Sequence, residues 1–176
     1  MLVAGTSARA AVGRVTRTAG PASQTLKLAI SGFGNTRVKV GYFPEAKYPD
    51  GTPVAYVATI QEFGHAPSGI PPRPTMRPTV EAQRTAWVRH AEAGARAVAR
   101  GAIAPAQVLD SLGLLAAGDL RQTIANLQSP PLKQSTIDAR RRTYADTGTT
   151  GNLAKPLVAT ALMVNSVSHE VEGGDG

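Results

Sequence analysis

Five prolines fall within the twelve positions from Pro67 to Pro78, in the run PSGIPPRPTMRP. Proline fixes its own φ near −65°, lacks a backbone donor and pushes the residue before it out of helical geometry. No helix or interior strand can therefore run through this stretch, and it reads as a stiff strap in extended or polyproline II conformation. Whatever precedes and follows it must be separate elements. A stiff segment loses little entropy on docking, so the strap suits an interface. In this reading Ile70, Pro71, Pro72, Arg73, Pro74, Met76 and Arg77 contact a neighbouring subunit, with the guanidinium groups of Arg73 and Arg77 reaching carboxylates or phosphates. The plain alternative is a rigid surface crossover.

Upstream of the strap, Arg37 to Phe43 (RVKVGYF) places Val38, Val40 and Tyr42 on one face and Arg37, Lys39 and Gly41 on the other, the period of a half-buried strand. The segment Pro21 to Gly32 carries both helical and alternating apolar spacing and is read as a helix. Thr52 is placed to cap a helix with Pro53 at its first position, running to Phe63 and closed by Gly64. Downstream, a long helix is expected from Met76 or Pro78 to Arg100, with Val80, Arg84, Trp87, Ala91, Gly94 and Val98 along one side and Gly101 beyond its end. A second, from Pro105 to Leu127, carries Leu109, Leu112, Ala116, Leu120, Ile124 and Leu127. The two form an antiparallel hairpin.

Pro130-Pro131 ends that hairpin. Ser135 and Asp138 have the spacing of a capping box, which would put Arg140, Arg141 and Arg142 in the last turn of a short helix, where cations favour the helix dipole. Tyr144 to Asn152 is a loop by composition, Lys155 to Asn165 a helix opened by Pro156 with Leu157, Ala161 and Val164 inward, and Ser166 to Val171 a strand able to pair with Arg37 to Phe43. The expected fold is α+β: a small, mainly antiparallel sheet packed against a long helical hairpin, both of whose helices cover it, and shorter helices. Residues 1–20 are expected to be a flexible or partner-ordered arm, 21–171 one domain, and 172–176 a disordered tail.

Composition narrows the functions. The chain carries 14 Arg against 5 Lys and a formal charge of +7, which admits phosphate contacts through Arg89, Arg96 and Arg100 on one face of the long helix and through the Arg140 to Arg142 triplet. A solvated face explains the first set and the helix dipole the second without nucleic acid. With no cysteine there is no disulfide framework, thiolate site or thiol nucleophile. No apolar run is long enough to span a membrane. No phosphate loop, HExxH or GxSxG pattern occurs; Glu62 and His65 do not have metal-ligand spacing, and His90 and His169 stand alone. Trp87 belongs to the core or an interface. No cofactor, metal or catalytic residue is expected.

The order of elements VAYVATIQEFG, IPPRPTMRP, a long helix with Leu112-Gly113, PLKQSTIDARR and KPLVATALMVNSVSHEV, over about residues 37 to 171, resembles the virion morphogenesis and tail-completion family of tailed bacteriophages and Mu-like prophages. It departs from the family pattern at Thr75 and at Ala159-Thr160-Ala161. The resemblance implies a non-catalytic virion protein, assembled in the host cytoplasm, that forms a homo-oligomeric ring of six copies at the neck or upper tail. Its partners would be head-connector or head-closure proteins, tail terminator or tail tube proteins, and, transiently, DNA in the lumen. The other reading open to the residues is a basic nucleic-acid-binding protein.

Overall fold

The computed structural model describes Gln24, Lys27 and residues 31–34, 36–145 and 161–173. Along the chain run β1 (Arg37–Tyr42), α1 (Val54–Phe63), a 3₁₀ turn (Ala66–Ser68), α2 (Met76–Ala99), α3 (Pro105–Asn126), α4 (Gln134–Ala145), α5 (Leu162–Asn165) and β2 (Val167–Glu172). The described positions of the segment before β1, Gln24, Lys27 and 31–34, are helical. The class is α+β, as the alternating strands and long periodic helices require.

The sheet has two strands, antiparallel, in the register Val38↔Val171, Val40↔His169 and Tyr42↔Val167. Both alternations place their apolar members on the same face, which is why they can share one buried side. That face lies on α3. Ala117, Leu120, Ile124 and Val167 form the central cluster, with Val40, Tyr42, Met76 and Val164 packed against it. Gly113 sets how closely helix and sheet approach: a Cβ there would fall 2.4 Å from His169 Cδ2 and 2.7 Å from Val38 Cγ2.

The sheet was expected under both long helices, but only α3 lies directly across it. α2 packs chiefly on α3, through a stripe that keeps Trp87, Ala91, Gly94 and Val98 of the expected one and departs from it only at Val80 and Arg84. Val80 is 50% exposed and Arg84 is exposed. In the place of those two, Met76, Thr79, Gln83 and His90 are turned inward. Polar pairs stitch this seam: Thr79 Oγ1 donates to Thr123 Oγ1 (2.7 Å), Trp87 Nε1 to Asp119 Oδ2 (2.7 Å), and His90 Nε2 meets Ser111 Oγ (2.8 Å). At the far end Gly94 lets α3 come close, since a Cβ would sit 2.3 Å from Val108 Cγ1. The turn between the helices contains Gly101 at φ 71°.

Several boundaries differ from the sequence expectation for local reasons. Pro53, not Thr52, is the cap residue of α1, because the Pro53 carbonyl takes the first helical bonds, from Tyr56 and Val57, while the Thr52 carbonyl accepts from the Tyr48 amide (2.8 Å). α4 begins before Ser135: the Lys133 carbonyl takes the first helical bonds, from Thr136 and Ile137, and Asp138 bonds to Gln134 and Arg141 instead of closing a box. The helix then continues through Tyr144 to Ala145, so of the arginine triplet only Arg142 is in its last turn. Ala161 has φ 54° and so cannot continue a helix; α5 starts after it. β2 begins one residue later than expected and reaches Glu172, which therefore belongs to the sheet and not to a tail. Residues 1–20, 146–160 (with Leu157) and 174–176 lie outside the described residues.

Candidate functional site

The proline strap and the elements that hold it are joined by a set of side-chain and backbone hydrogen bonds. α1 stops at Gly64, whose φ is 76° and whose Cβ, if it had one, would lie 2.9 Å from both Ile70 O and Pro72 N. Glycine is the residue that satisfies both conditions. The chain then folds back on itself. His65 and Ile70 exchange backbone hydrogen bonds (2.9 and 3.1 Å) around the 3₁₀ turn Ala66–Ser68, and His65 Nδ1 lies 2.8 Å from Ser68 Oγ. The strap is thus not extended from end to end: it opens with this turn, is irregular from 71 to 75, and closes inside α2, where Pro78 occupies the first turn and its missing N–H leaves no bond unmade.

Glu62, near the end of α1, is buried and supplies the cap that α2 lacks. Thr75 stands at the cap position without a side-chain bond of its own. Instead Glu62 Oε2 accepts from the amides of Thr75 (2.6 Å) and Met76 (3.0 Å), and Oε1 from the amide of Arg77 (3.2 Å). Arg77 completes the arrangement, donating from Nε to Glu62 Oε1 (3.1 Å) and from Nη2 to the Glu62 carbonyl (3.2 Å), with its guanidinium carbon 5.2 Å from the centre of the Phe63 ring. Burial pushes the Glu62 carboxyl up, but the three amides and the Arg77 side chain outweigh it and leave the group below its ordinary value. A carboxylate at a helix N-terminus is also favoured by the helix dipole.

Arg73 is turned inward, with 5% of its surface exposed. Its amide donates to Gln61 O (2.6 Å), and its side chain reaches Pro130 O (3.0 Å from Nε), Pro131 O (3.1 Å from Nη2) and Gln61 Oε1 (3.4 Å from Nη1). Burial, and then the nearby charge of Arg140, lower its pKa. The strap is therefore tied to α1 on one side and to the segment after α3 on the other. This corrects the outward aim expected of both arginines: Arg73 ties the strap to its own chain, and Arg77, although exposed, is paired with Glu62. Of the remaining strap residues, Ile70, Pro71, Pro74 and Met76 are half-buried and Pro72 is exposed. The large side chains this region shows to solvent belong to α1: Tyr56, 60% exposed, and Phe63, 66% exposed, two turns apart. Neither Glu62 nor this α1 face was singled out by sequence as part of an interface. The Glu62 cap joins residues thirteen to fifteen apart, beyond the reach of local capping patterns, whereas the Tyr56–Phe63 spacing was legible as a helical face.

The arginines proposed for phosphate contacts divide between two helices. Arg89 and Arg96 on α2 and Arg100 just past its end are all exposed, and Arg96 pairs with Glu92 (3.8 Å). On α4, Arg140 is half-buried beside Arg73, Arg141 pairs with Asp138 (3.2 Å), and Arg142 is exposed. The histidines are each matched to a neighbour. Because Ser111 Oγ donates its one proton to Val108 O (2.8 Å), it accepts from His90 and is not arranged as a nucleophile facing a base. His169 Nε2 lies 2.9 Å from Asp110 Oδ1 and ties β2 to α3. Among the described residues no group of three or more His, Cys, Asp or Glu could hold a metal ion, and no helix is long and apolar enough to cross a membrane. Compared with protein-family models, curated proteins and solved structures, the chain matches none.

Proposed function

We propose that this chain is a structural virion protein of a tailed phage, acting without chemical turnover as a subunit of a ring at the neck or upper tail that completes the tail and joins it to the head. The observation that carries the reading is the linkage of Glu62, Arg73 and Arg77. The helix, EFG and IPPRPTMRP segments on which the family resemblance rests are one hydrogen-bonded unit, in which the helix supplies the cap, the glycine the close turn and the two arginines the ties. Such interdependence is what would keep those residues together as a motif. The unit holds α1 so that Tyr56 and Phe63 stand in solvent, and Val80, Val88, Leu114 and Leu115 on the long helices, with Ile103 in the turn between them, are exposed. Exposed aromatic and aliphatic side chains of this kind suit a subunit that is covered on assembly.

The reading is tested by imaging particles that carry a tagged copy of the chain. Label confined to one axial position between head and tail is the expected result; label spread over the shell or along packaged DNA overturns it. Should the arginines of α2 and α4 bind phosphates as their main task, the purified protein would instead retain DNA with an affinity that falls steeply with salt.

A further inference from the structure

Resting on the ring reading, we infer that copies join edge to edge through the sheet, β1 of one copy lying against β2 of the next. Both strands of the two-stranded sheet have a second edge. Among the described residues, Arg37 to Tyr42 and Ser168 to Glu172 make no backbone hydrogen bonds outside their mutual pairing. An open hollow lies against β1, lined by Lys39 to Glu45, by Met76 and, from β2, by Glu170. On β2, Arg121 donates to the Val167 carbonyl (2.6 Å), which closes that strand's first residue and leaves 168–172 open. Unpaired edges are templates for another strand. A subunit with one free edge on each side of its sheet is both acceptor and donor, as a head-to-tail contact that closes into a ring requires.

Charge selects which edges meet. On the face away from α3, β1 carries Arg37 and Lys39, and β2 carries Glu170 and Glu172. Within the chain both cations bond to Glu172. Lys39 does so in preference to Glu170, its register partner, and exposed Glu170 is left without a charged partner among the described residues. Pairing β1 with β1 would set Arg37 and Lys39 against their own kind, and pairing β2 with β2 would oppose four carboxylates. Only β1 against β2 alternates the signs, giving Glu170 a cation on its open side. Directly opposed like charges destabilise a strand pair and opposite charges support it. The resulting continuous sheet has two cations and two carboxylates per copy on one face, a balanced surface that would not grip a polyanion.

The absence of cysteine makes the contact directly testable. One chain carries Lys39→Cys and a differently tagged chain carries a single cysteine at Ser168, Glu170 or Glu172; the two are assembled together and oxidised. Disulfide geometry requires Cβ atoms within about 4.5 Å, so a mixed disulfide at one of the three positions is expected, with none between two Lys39→Cys chains. In parallel, Glu170→Lys, which replaces an attraction with a repulsion, should weaken association by about three- to tenfold. The fourfold exchange Arg37→Glu, Lys39→Glu, Glu170→Lys and Glu172→Lys preserves every pairing within its own chain. It should therefore fold and associate with itself while being excluded from wild-type oligomers, as read by native mass. Wild-type chains that remain monomeric in concentrated solution and on isolated tails overturn the ring reading itself. Rings that form without a mixed disulfide, or that incorporate exchanged and wild-type chains at random, overturn the edge pairing alone.

Discussion

Glu62 is a charge held where an apolar side chain of its size would leave three amides stranded. Replacing it with Gln removes the charge and turns an amide donor toward donors. Leaving buried donors and the Arg77 side chain unmatched in this way is expected to lower stability by about 2–4 kcal/mol, read in urea unfolding as a lower midpoint at unchanged slope. The pH dependence has a definite sign. The Glu62 pKa is lower in the folded chain than its ordinary value, so its contribution is present above the unfolded pKa and is lost as pH falls through the folded one. Wild-type stability should decline on acidification below roughly pH 4.3, and the Glu62→Gln variant should lose that part of the slope. Arg73 tests the other tie. Lysine can reach one proline carbonyl but not present the fork that meets Pro130 and Pro131 together, so Arg73→Lys should cost about 1–3 kcal/mol. The loss should appear in the isolated monomer, before any assembly is measured.

At the level of elements, α3 carries two glycines whose replacement should have opposite signs. A Cβ at Gly113 meets the His169 ring and Val38, and overpacking of that kind costs about 1–3 kcal/mol, more than the roughly 1 kcal/mol alanine gains in helix propensity. Gly113→Ala should be destabilising and should speed amide exchange in β1 and β2. Gly118 is exposed and nothing lies within 4 Å of its Cβ position, so Gly118→Ala should stabilise by about 0.5–1 kcal/mol. The same packing explains what the sequence could convey. Both strands were legible because Val38, Val40, Val167 and Val171 alternate against charged residues, and α3 because its apolar residues recur at three and four. The inward stripe of α2 was legible at Trp87, Ala91, Gly94 and Val98 but not at Thr79, Gln83 and His90, which are polar and give no apolar period; Thr79 and His90 are matched to partners on α3, and a single sequence does not show partners. The strap was recognisable from proline alone, yet the direction of Arg73 depended on carbonyls almost sixty residues away. Ser135 failed as a cap for a simpler reason, since the Lys133 carbonyl had already begun the helix.

For the whole molecule the decisive quantity is charge set against area. In the proposed ring, six copies at +7 each would carry six times seven, or +42, a repulsion that opposes a ring built of this chain alone. The surface arginines that create it, among them Arg89, Arg100 and Arg142, point to solvent, where a screening length of about 8–10 Å at physiological salt weakens them considerably. Apolar contact through residues such as Tyr56 and Phe63 is not screened, and exposed ion pairs like those of the sheet edge contribute only about 0–1 kcal/mol each. Raising salt should therefore relieve more repulsion between copies than the attraction it removes. Self-association, measured by sedimentation across a salt series, is expected to hold or strengthen as salt rises, and retention of DNA on the same protein to weaken over that range. In the proposed ring, acidic protein surfaces above and below would have the same effect as salt, and assembly on a tail or connector template would then be more favourable than assembly in free solution. A self-association that collapses with salt in parallel with DNA retention would mean that copies are held together by bridging nucleic acid, and that the arginine faces, not the apolar ones, are what this protein uses.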